Sequence, residues 1–277
     1  MRNKRFSVLM SVYGKDNPKF FLEALRSIST GQTLKPNQVV VVYDGPVSDE
    51  IRKNFNICSE ENPEIEFTEV AKAKNAGLAA ALNTGLKECK YHWIARMDSD
   101  DLARADRFEK QMEYLVAHPE ISILGGAIAE FENAPGDIDS VRSVGLTESE
   151  ILHMAKSRTP FNHVSVIFDK LAVDSVGGYS ENFGKLEDYK LWVDLLSAGY
   201  KGANLPDVIV DVRVGNGFIE RRSNKREIED WDNLQKYLLK AGFISHFQAM
   251  LNKIYIRIFI YTPSSVKRII YKHILRK

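Results

Sequence analysis

The chain has 277 residues, 44% hydrophobic and 27% charged, with a formal net charge of +1; the composition is globular and the length suits one large α/β domain or two small ones. No apolar run approaches the roughly 20 residues that cross a bilayer as a helix, which excludes a polytopic membrane protein. Cys58 and Cys89 are the only cysteines and lack metal-ligand spacing, which excludes a disulfide framework and a cysteine zinc site and makes a reducing cytoplasm the expected compartment.

The opening MRNKRFSVLMSVYG places basic residues before an apolar run, as a signal peptide does, but the run is short and has no small-residue cleavage site. RFSVLMSVY therefore reads as a first strand. NPKFFLEALRSI follows as a helix, with Asn17 as cap, Pro18 at the first helical position, and Phe21, Leu25 and Ile28 on one face. QVVVVYDG is a second strand, apolar on both faces as a central parallel strand is, ending in Asp44-Gly45. IEFTEV, YHWIARMD and ISILGGAIAEF read as further strands, separated by the helical patterns NAGLAAALNTGLKEC and ARADRFEKQMEYLVAH. From Phe6 to Phe131 this alternation is that of strand-helix-strand units in a largely parallel sheet.

The second half is less regular, with a short helix in ESEILHMAKS, a strand HVSVIFD, a turn at Gly177-Gly178, and a helix EDYKLWVDLLSAG closed by Gly199. No Gly/Ser linker and no repeat divides the halves. One domain over residues 1–223 is expected, its second half completing a site begun by the first, followed by a helical C-terminal extension over 224–277.

In open parallel sheets, ligands bind outside the carboxyl ends of the strands. Asp44 lies there after the second strand, and Asp98-Ser99-Asp100-Asp101 after a later one. Such aspartates also cap helices, and for Asp101, just before LARADRF, that reading is preferred. One cap does not need three carboxylates. Packing Asp98 beside Asp100 costs repulsion unless a cation or donors offset it, and hard oxygen ligands of this kind suit Mg²⁺ or Mn²⁺ held together with substrate phosphates. A phosphatase using Asp98 as nucleophile and Asp100 as acid is an alternative, although Leu102 stands where that family has Thr or Val and no partner lysine is evident.

The ordered set SVLMSVYG, VVVVYDG, NAGLAAALNTGL, MDSDD, VGGYSENFGKLEDYKLWVDLLSAGY and VRVGNG resembles the family 2 glycosyltransferases of the GT-A fold, over roughly residues 5 to 220. The likeness is greatest to bacterial enzymes that build O-antigen, capsular and amylovoran-type polysaccharides. It implies a Rossmann-like, mostly parallel sheet flanked by helices, and an inverting, metal-dependent transfer of one sugar from a nucleotide-sugar, typically UDP-linked, using Mn²⁺ or Mg²⁺. By the same resemblance, Ser11, Tyr13, Asp44, Lys74, Asn75, Gly77, Asn83, Asp98, Ser99 and Arg213 face the nucleotide-sugar, Asp98 and Asp100 the metal, His163 and Glu187 the acceptor, and Asp188 is the base that deprotonates the acceptor hydroxyl. Turn or packing roles stay open for Asp44, Asn83 and His163, Glu187-Asp188 also suits a helix N-terminus, and Arg213, Arg221 and Arg222, flanking GNG, either close over the diphosphate or are solvated charges. Ser11 stands where many relatives have Pro. The Q-x-x-R-W motif and transmembrane helices of the processive relatives are missing, which implies transfer of one sugar per encounter.

After Asp232 no acidic residue follows, while FQAMLNKIYIRIFIYTPSSVKRIIYKHILRK interleaves aliphatic and aromatic residues with Lys and Arg. A nucleic-acid arm is more polar than this, so no nucleic acid is expected. Two amphipathic pieces separated by Pro263 suit an interfacial membrane helix, or a face packed on the body. The first reading places the protein peripherally on the inner face of the bacterial cytoplasmic membrane, acting on a lipid-linked, polyprenyl diphosphate glycan. A sugar-nucleotide-binding scaffold without catalysis is the remaining alternative.

Overall fold

The computed structural model describes residues 4–214 and 225–262. The Gly215-Asn216-Gly217 stretch with Arg221 and Arg222, and Pro263 with the last part of the tail, lie outside the described residues. Strands β1 (Phe6–Val12), β2 (Gln38–Tyr43), β3 (Glu66–Ala71) and β4 (Trp93–Met97) pair in the order β3-β2-β1-β4, all parallel. Between them run α1 (Pro18–Ser27), α2 (Asp49–Glu61) and α3 (Leu78–Glu88). β1 and β2 are buried along their length, as strands covered on both faces must be. Asn17 caps α1 through the Lys19 N–H at 2.9 Å, with Pro18 in the first turn.

The helix α2 was not among the expected elements, yet its signals are in the sequence. Ser48 accepts from the Ile51 N–H, Asp49 and Glu50 stand in the first turn, and Ile51, Asn54, Phe55 and Cys58 are buried at helical spacing.

Beyond β4 the sheet turns mixed. β8 (Ile167–Asp169) runs antiparallel between β4 and β6 (Ile121–Phe131), and β6 pairs in parallel with β9 (Lys201–Arg213). β5 (Leu102–Ala103) joins the edge beside β9, and β7 (Val141–Arg142) pairs with β6, so that the described strands form one nine-stranded sheet. Two expectations change here. HVSVIFD is only partly strand, because His163–Ser165 form a 3₁₀ turn. β9 went unread because Gly202, Pro206 and Asp207 break its pattern; the strand accommodates them in a bulge, where the partners of Gly126 and Ala127 jump from Leu205 to Val208.

Helix α4 (Arg107–Ala117) starts four residues later than its sequence pattern, since Leu102 and Ala103 are claimed by the sheet. Asp101 is therefore not its cap. α5 (Glu148–Met154) and α6 (Lys170–Ser175) follow, and α7 (Glu187–Ser197) ends where Gly199, at φ +87°, reverses the chain. The C-terminal α8 (Lys225–Lys240) and α9 (His246–Tyr261) pack on α7, with Leu234, Leu238, Ile244 and Ala249 against Tyr189 and Val193. Asn252 donates to the Lys156 carbonyl at 2.7 Å, and Arg257 ion-pairs with Asp232 at 2.6 Å. The opposite face of α9 leaves Phe247, Met250, Ile254, Tyr255, Ile258 and Tyr261 exposed. No helix among the described residues is long and apolar enough to cross a membrane.

Candidate active site

Because β1, β2 and β4 are parallel neighbours, their carboxyl ends open on one crevice. Ser11 is the second-last residue of β1, paired with Val42, and the Tyr13 ring beyond it is exposed. Asp44, buried, accepts from the N–H groups of Ala76 and Gly77, both at 2.9 Å, and ion-pairs with Lys72 at 2.9 Å. It thus anchors the entry to α3. Gly45, at φ +90°, permits this closure, since a Cβ there would stand 2.7 Å from the Asn75 nitrogen. Lys74, Asn75 and Gly77 lie exposed along the same rim. Asn83 is engaged elsewhere. Its amide donates to the Tyr179 carbonyl at 2.7 Å and accepts from the Tyr179 N–H at 2.9 Å, so the packing role left open for it in the sequence is the one its geometry supports.

The acidic turn after β4 rests on buried cations. Arg96, inside β4 and 1% exposed, ion-pairs with Asp98 and also reaches the Met97 carbonyl. From α4, Arg107 donates to the Arg96 carbonyl at 2.7 Å; burial, with the Arg96 charge added, lowers its pKa to about 9. Ser99 donates to Asp16 at 2.8 Å, bringing a fourth carboxylate to the turn. Asp16, whose pKa burial raises, gave no signal in the sequence. Asp100 reaches solvent at the rim but is crowded by protein; lost hydration, then the Asp98 and Asp16 charges, push its pKa up to about 6.

Asp101 and Arg213 have duties the sequence did not show. The buried Asp101 carboxyl accepts from the Arg213 N–H at 2.8 Å, and burial with the Asp98 and Asp100 charges raises its pKa. Arg213, expected at the diphosphate, instead bonds the Asp100 carbonyl at 3.1 Å and Glu23 at 2.9 Å. Its guanidinium lies over the Phe20 and Phe131 rings at 3.8 and 4.6 Å. A stacked, ion-paired guanidinium is held in place. Arg213 braces the acidic turn from behind.

Across the crevice, α7 presents its first turn. A cavity of about 420 Å³ is lined by Asp98, Asp188, His163, Arg158 and Trp231 among others, so residues ninety positions apart meet there. Asp188 accepts from the Tyr189 N–H at 2.7 Å. Glu187 is buried behind it with one oxygen unpartnered, and burial, with the Asp188 charge added, pushes its pKa up to about 8. Burial thus favours its protonated form. His163 meets the Tyr179 hydroxyl at 2.9 Å, and burial followed by the Arg96 charge drives its pKa well down, keeping the ring neutral.

Among the described residues no three His, Cys, Asp or Glu side chains form a ready metal cage. The acidic turn nonetheless fits a hard divalent ion of the kind bound through one or two carboxylates and substrate phosphates, because Asp98, Asp100 and Asp101 gather with Asp16 at one strand end and Asp100 reaches solvent there.

A Rossmann-like sheet with an acidic turn at one strand end and a carboxylate on a facing helix is the arrangement expected of a GT-A glycosyltransferase. The model of glycosyl transferase family 2 matches residues 7–174, more than half of the chain, and the chain belongs to that family. It is 35% identical over 274 residues, 99% of its length and 97% of the relative's, to the Escherichia coli UDP-Gal:alpha-D-GlcNAc-diphosphoundecaprenol beta-1,3-galactosyltransferase. It is 37% identical to the amylovoran biosynthesis glycosyltransferase AmsE of Erwinia amylovora, over 86% of this chain and 88% of that one. The fold matches that of the mannosyltransferase PcManGT from Pyrobaculum calidifontis, solved with GDP-Man and Mn²⁺, with a TM-score of 0.63 at 20% identity, covering 97% of this chain and 79% of that chain. The chain is thus a glycosyltransferase of polysaccharide biosynthesis, and the hydrolase and scaffold alternatives fall.

Proposed function

We propose that the enzyme moves one sugar from a UDP-sugar to a hydroxyl of a lipid-linked glycan diphosphate, with inversion at the anomeric carbon. The meeting of Asp98 and Asp188 in one cavity carries this reading. In it, Ser11, Tyr13, Asp44, Lys74, Asn75 and Gly77 border the nucleotide, and Asp98, Ser99 and Asp100 the diphosphate. Asp98 and Asp100 would hold Mn²⁺ or Mg²⁺, which when bound neutralises charge on the departing diphosphate. Asp188 takes the proton of the acceptor hydroxyl as that oxygen bonds to the anomeric carbon and the bond from that carbon to the diphosphate oxygen breaks, releasing UDP. Glu187, buried behind Asp188 with its pKa raised by burial, and His163, bonded to Tyr179 and made a weaker base by burial, support Asp188 as the base.

The diphospholipid acceptor in the name of the E. coli relative supports a lipid-linked acceptor here, and the Mn²⁺ of the mannosyltransferase supports the metal. The exposed apolar face of α9, with Lys253 on the same helix and further basic residues following in the sequence, suits docking on an anionic membrane from the cytoplasmic side. The test is a panel of UDP-sugars with Mn²⁺ or Mg²⁺ and an N-acetylglucosaminyl diphosphate bearing a short alkyl chain. Formation of a disaccharide diphosphate of inverted linkage is expected; a retained configuration, or turnover undiminished in Asp188→Asn, would sink the reading.

A further inference from the structure

The loop between β1 and α1 lies between two other strand exits. β1 and β4 pair in parallel with Met10 opposite Met97, so the chain leaving β1 at Tyr13 and the chain leaving β4 at Asp98 emerge side by side. On its other flank the loop touches the exit of β2, where a Cβ on Gly14 would stand 2.7 Å from the Pro46 carbonyl oxygen. Only glycine allows that approach.

Asp16 joins this loop to the acidic turn. Its Oδ2 accepts from the Tyr13 N–H at 3.1 Å, and the Asp16 N–H donates back to the Tyr13 carbonyl at 3.0 Å, so the carboxylate closes its own turn. The same oxygen accepts from the Ser99 hydroxyl at 2.8 Å. Ser99 is buried between Asp98 and Asp100 in the chain, and this bond uses the single proton of its hydroxyl. A capping duty does not account for Asp16, because Asn17 already accepts from the Lys19 N–H at the start of α1. Charge does not account for it either, since the Asp98 charge beside it is of its own sign. What Asp16 supplies is an acceptor shared by two donors from different loops.

We propose that Asp16 is a positioning residue for the donor: through Ser99 it fixes the acidic turn, and through its own turn it fixes Tyr13, so that one carboxylate sets both the nucleotide end and the diphosphate end of the donor site. The inference rests on the proposed reading that a UDP-sugar lies at the carboxyl ends of β1, β2 and β4. In this role Asp16 acts by accepting hydrogen bonds and needs no contact with the donor.

The test follows UDP affinity in the presence of Mn²⁺ by calorimetry, together with the donor and acceptor KM. It uses the full-length enzyme and the variants Asp16→Ala, Asp16→Asn, Ser99→Ala and Asp16→Ala with Ser99→Ala, and thermal melting monitors folding. Asp16→Ala is expected to weaken UDP binding about tenfold, as loss of charge-assisted hydrogen bonds does, while the acceptor KM stays within about twofold. In Asp16→Asn the amide oxygen still accepts from both donors, so UDP affinity should stay within about threefold of the wild type. Ser99→Ala removes the shared bond from its other end, so the double variant should bind UDP within about twofold of Asp16→Ala. The inference is overturned if Asp16→Asn is as damaging as Asp16→Ala, if the losses add in the double variant, or if Asp16→Ala binds UDP as the wild type does. Should Asp16→Ala fail to fold, Ser99→Ala and Asp16→Asn decide: weakened UDP binding in the first with near-normal binding in the second supports the inference, and any other pairing overturns it. A wild type that binds no UDP removes the donor reading and this inference with it, whereas normal wild-type binding beside any of the failures above removes the inference alone.

Discussion

On the donor side, the turns after β1, β2 and β4 meet because three neighbouring parallel strands end together, and each contributes its residues within a short stretch of chain. On the side proposed for the acceptor, His163, Asp188 and Trp231 come from a 3₁₀ turn, a helix start and a C-terminal helix, and only packing of distant elements brings them to one cavity with Asp98. The donor side is thus a property of topology and local motif, whereas the acceptor side is a property of tertiary packing. Donor chemistry is accordingly shared across a fold, and acceptor choice varies with what packs beside it.

The largest effect separating the two sides is expected at the base. Asp188→Asn should lower kcat by about 10³-fold or more while UDP-sugar binding, followed by fluorescence quenching or calorimetry, stays nearly unchanged. Loss of donor binding in this variant would move Asp188 to the donor side. Asp100→Asn should act the other way, lowering kcat/KM by about 10²-fold and raising the Mn²⁺ or Mg²⁺ concentration needed for half-maximal rate. A metal response identical to that of the wild type would remove Asp100 from the ion.

The same contrast explains what was legible in the sequence. The parallel half could be read because near-continuous apolar runs such as VVVV in β2 and an Asn17-Pro18 helix start carry local signals. The acidic turn was visible as an excess of charge, but not the division of labour inside it. That Asp101 and Arg213 brace one another depends on β9, a strand whose pattern Pro206 and Asp207 obscure. Arg96 could have been noticed: a charged residue within an otherwise buried strand seldom stays without a function or a partner. Asp16 and Trp231 could not, since neither loop nor helix spacing tells which cavity a side chain lines.

One residue ties the two sides together. Asn83, on the donor-side helix α3, holds both main-chain groups of Tyr179, whose hydroxyl meets His163 on the acceptor side. Asn83→Ala should lower Tm by about 4 °C, from two hydrogen bonds of roughly 1 kcal/mol each, and should raise the acceptor KM more than the donor KM. Equal changes in both would make Asn83 a general stabiliser with no bias toward either side.

The smallest expected effect concerns Glu187, whose pKa is raised from 4.5 to about 8 by burial and by Asp188. Between these values the folded chain retains a proton that the unfolded chain has lost, so the contribution of this group to stability is full below about 4.5 and is lost as pH rises through about 8. Glutamine keeps the shape and cannot ionise. Glu187→Gln should therefore melt higher than the wild type at pH 8.5 by more than it does at pH 5. Because the protonated side chain is the form it mimics, kcat at pH 7 should fall by less than about tenfold, far less than in Asp188→Asn. A melting difference that stays constant across this range would show that Glu187 does not hold its proton, and the two carboxylates at the start of α7 would then share the work assigned to Asp188.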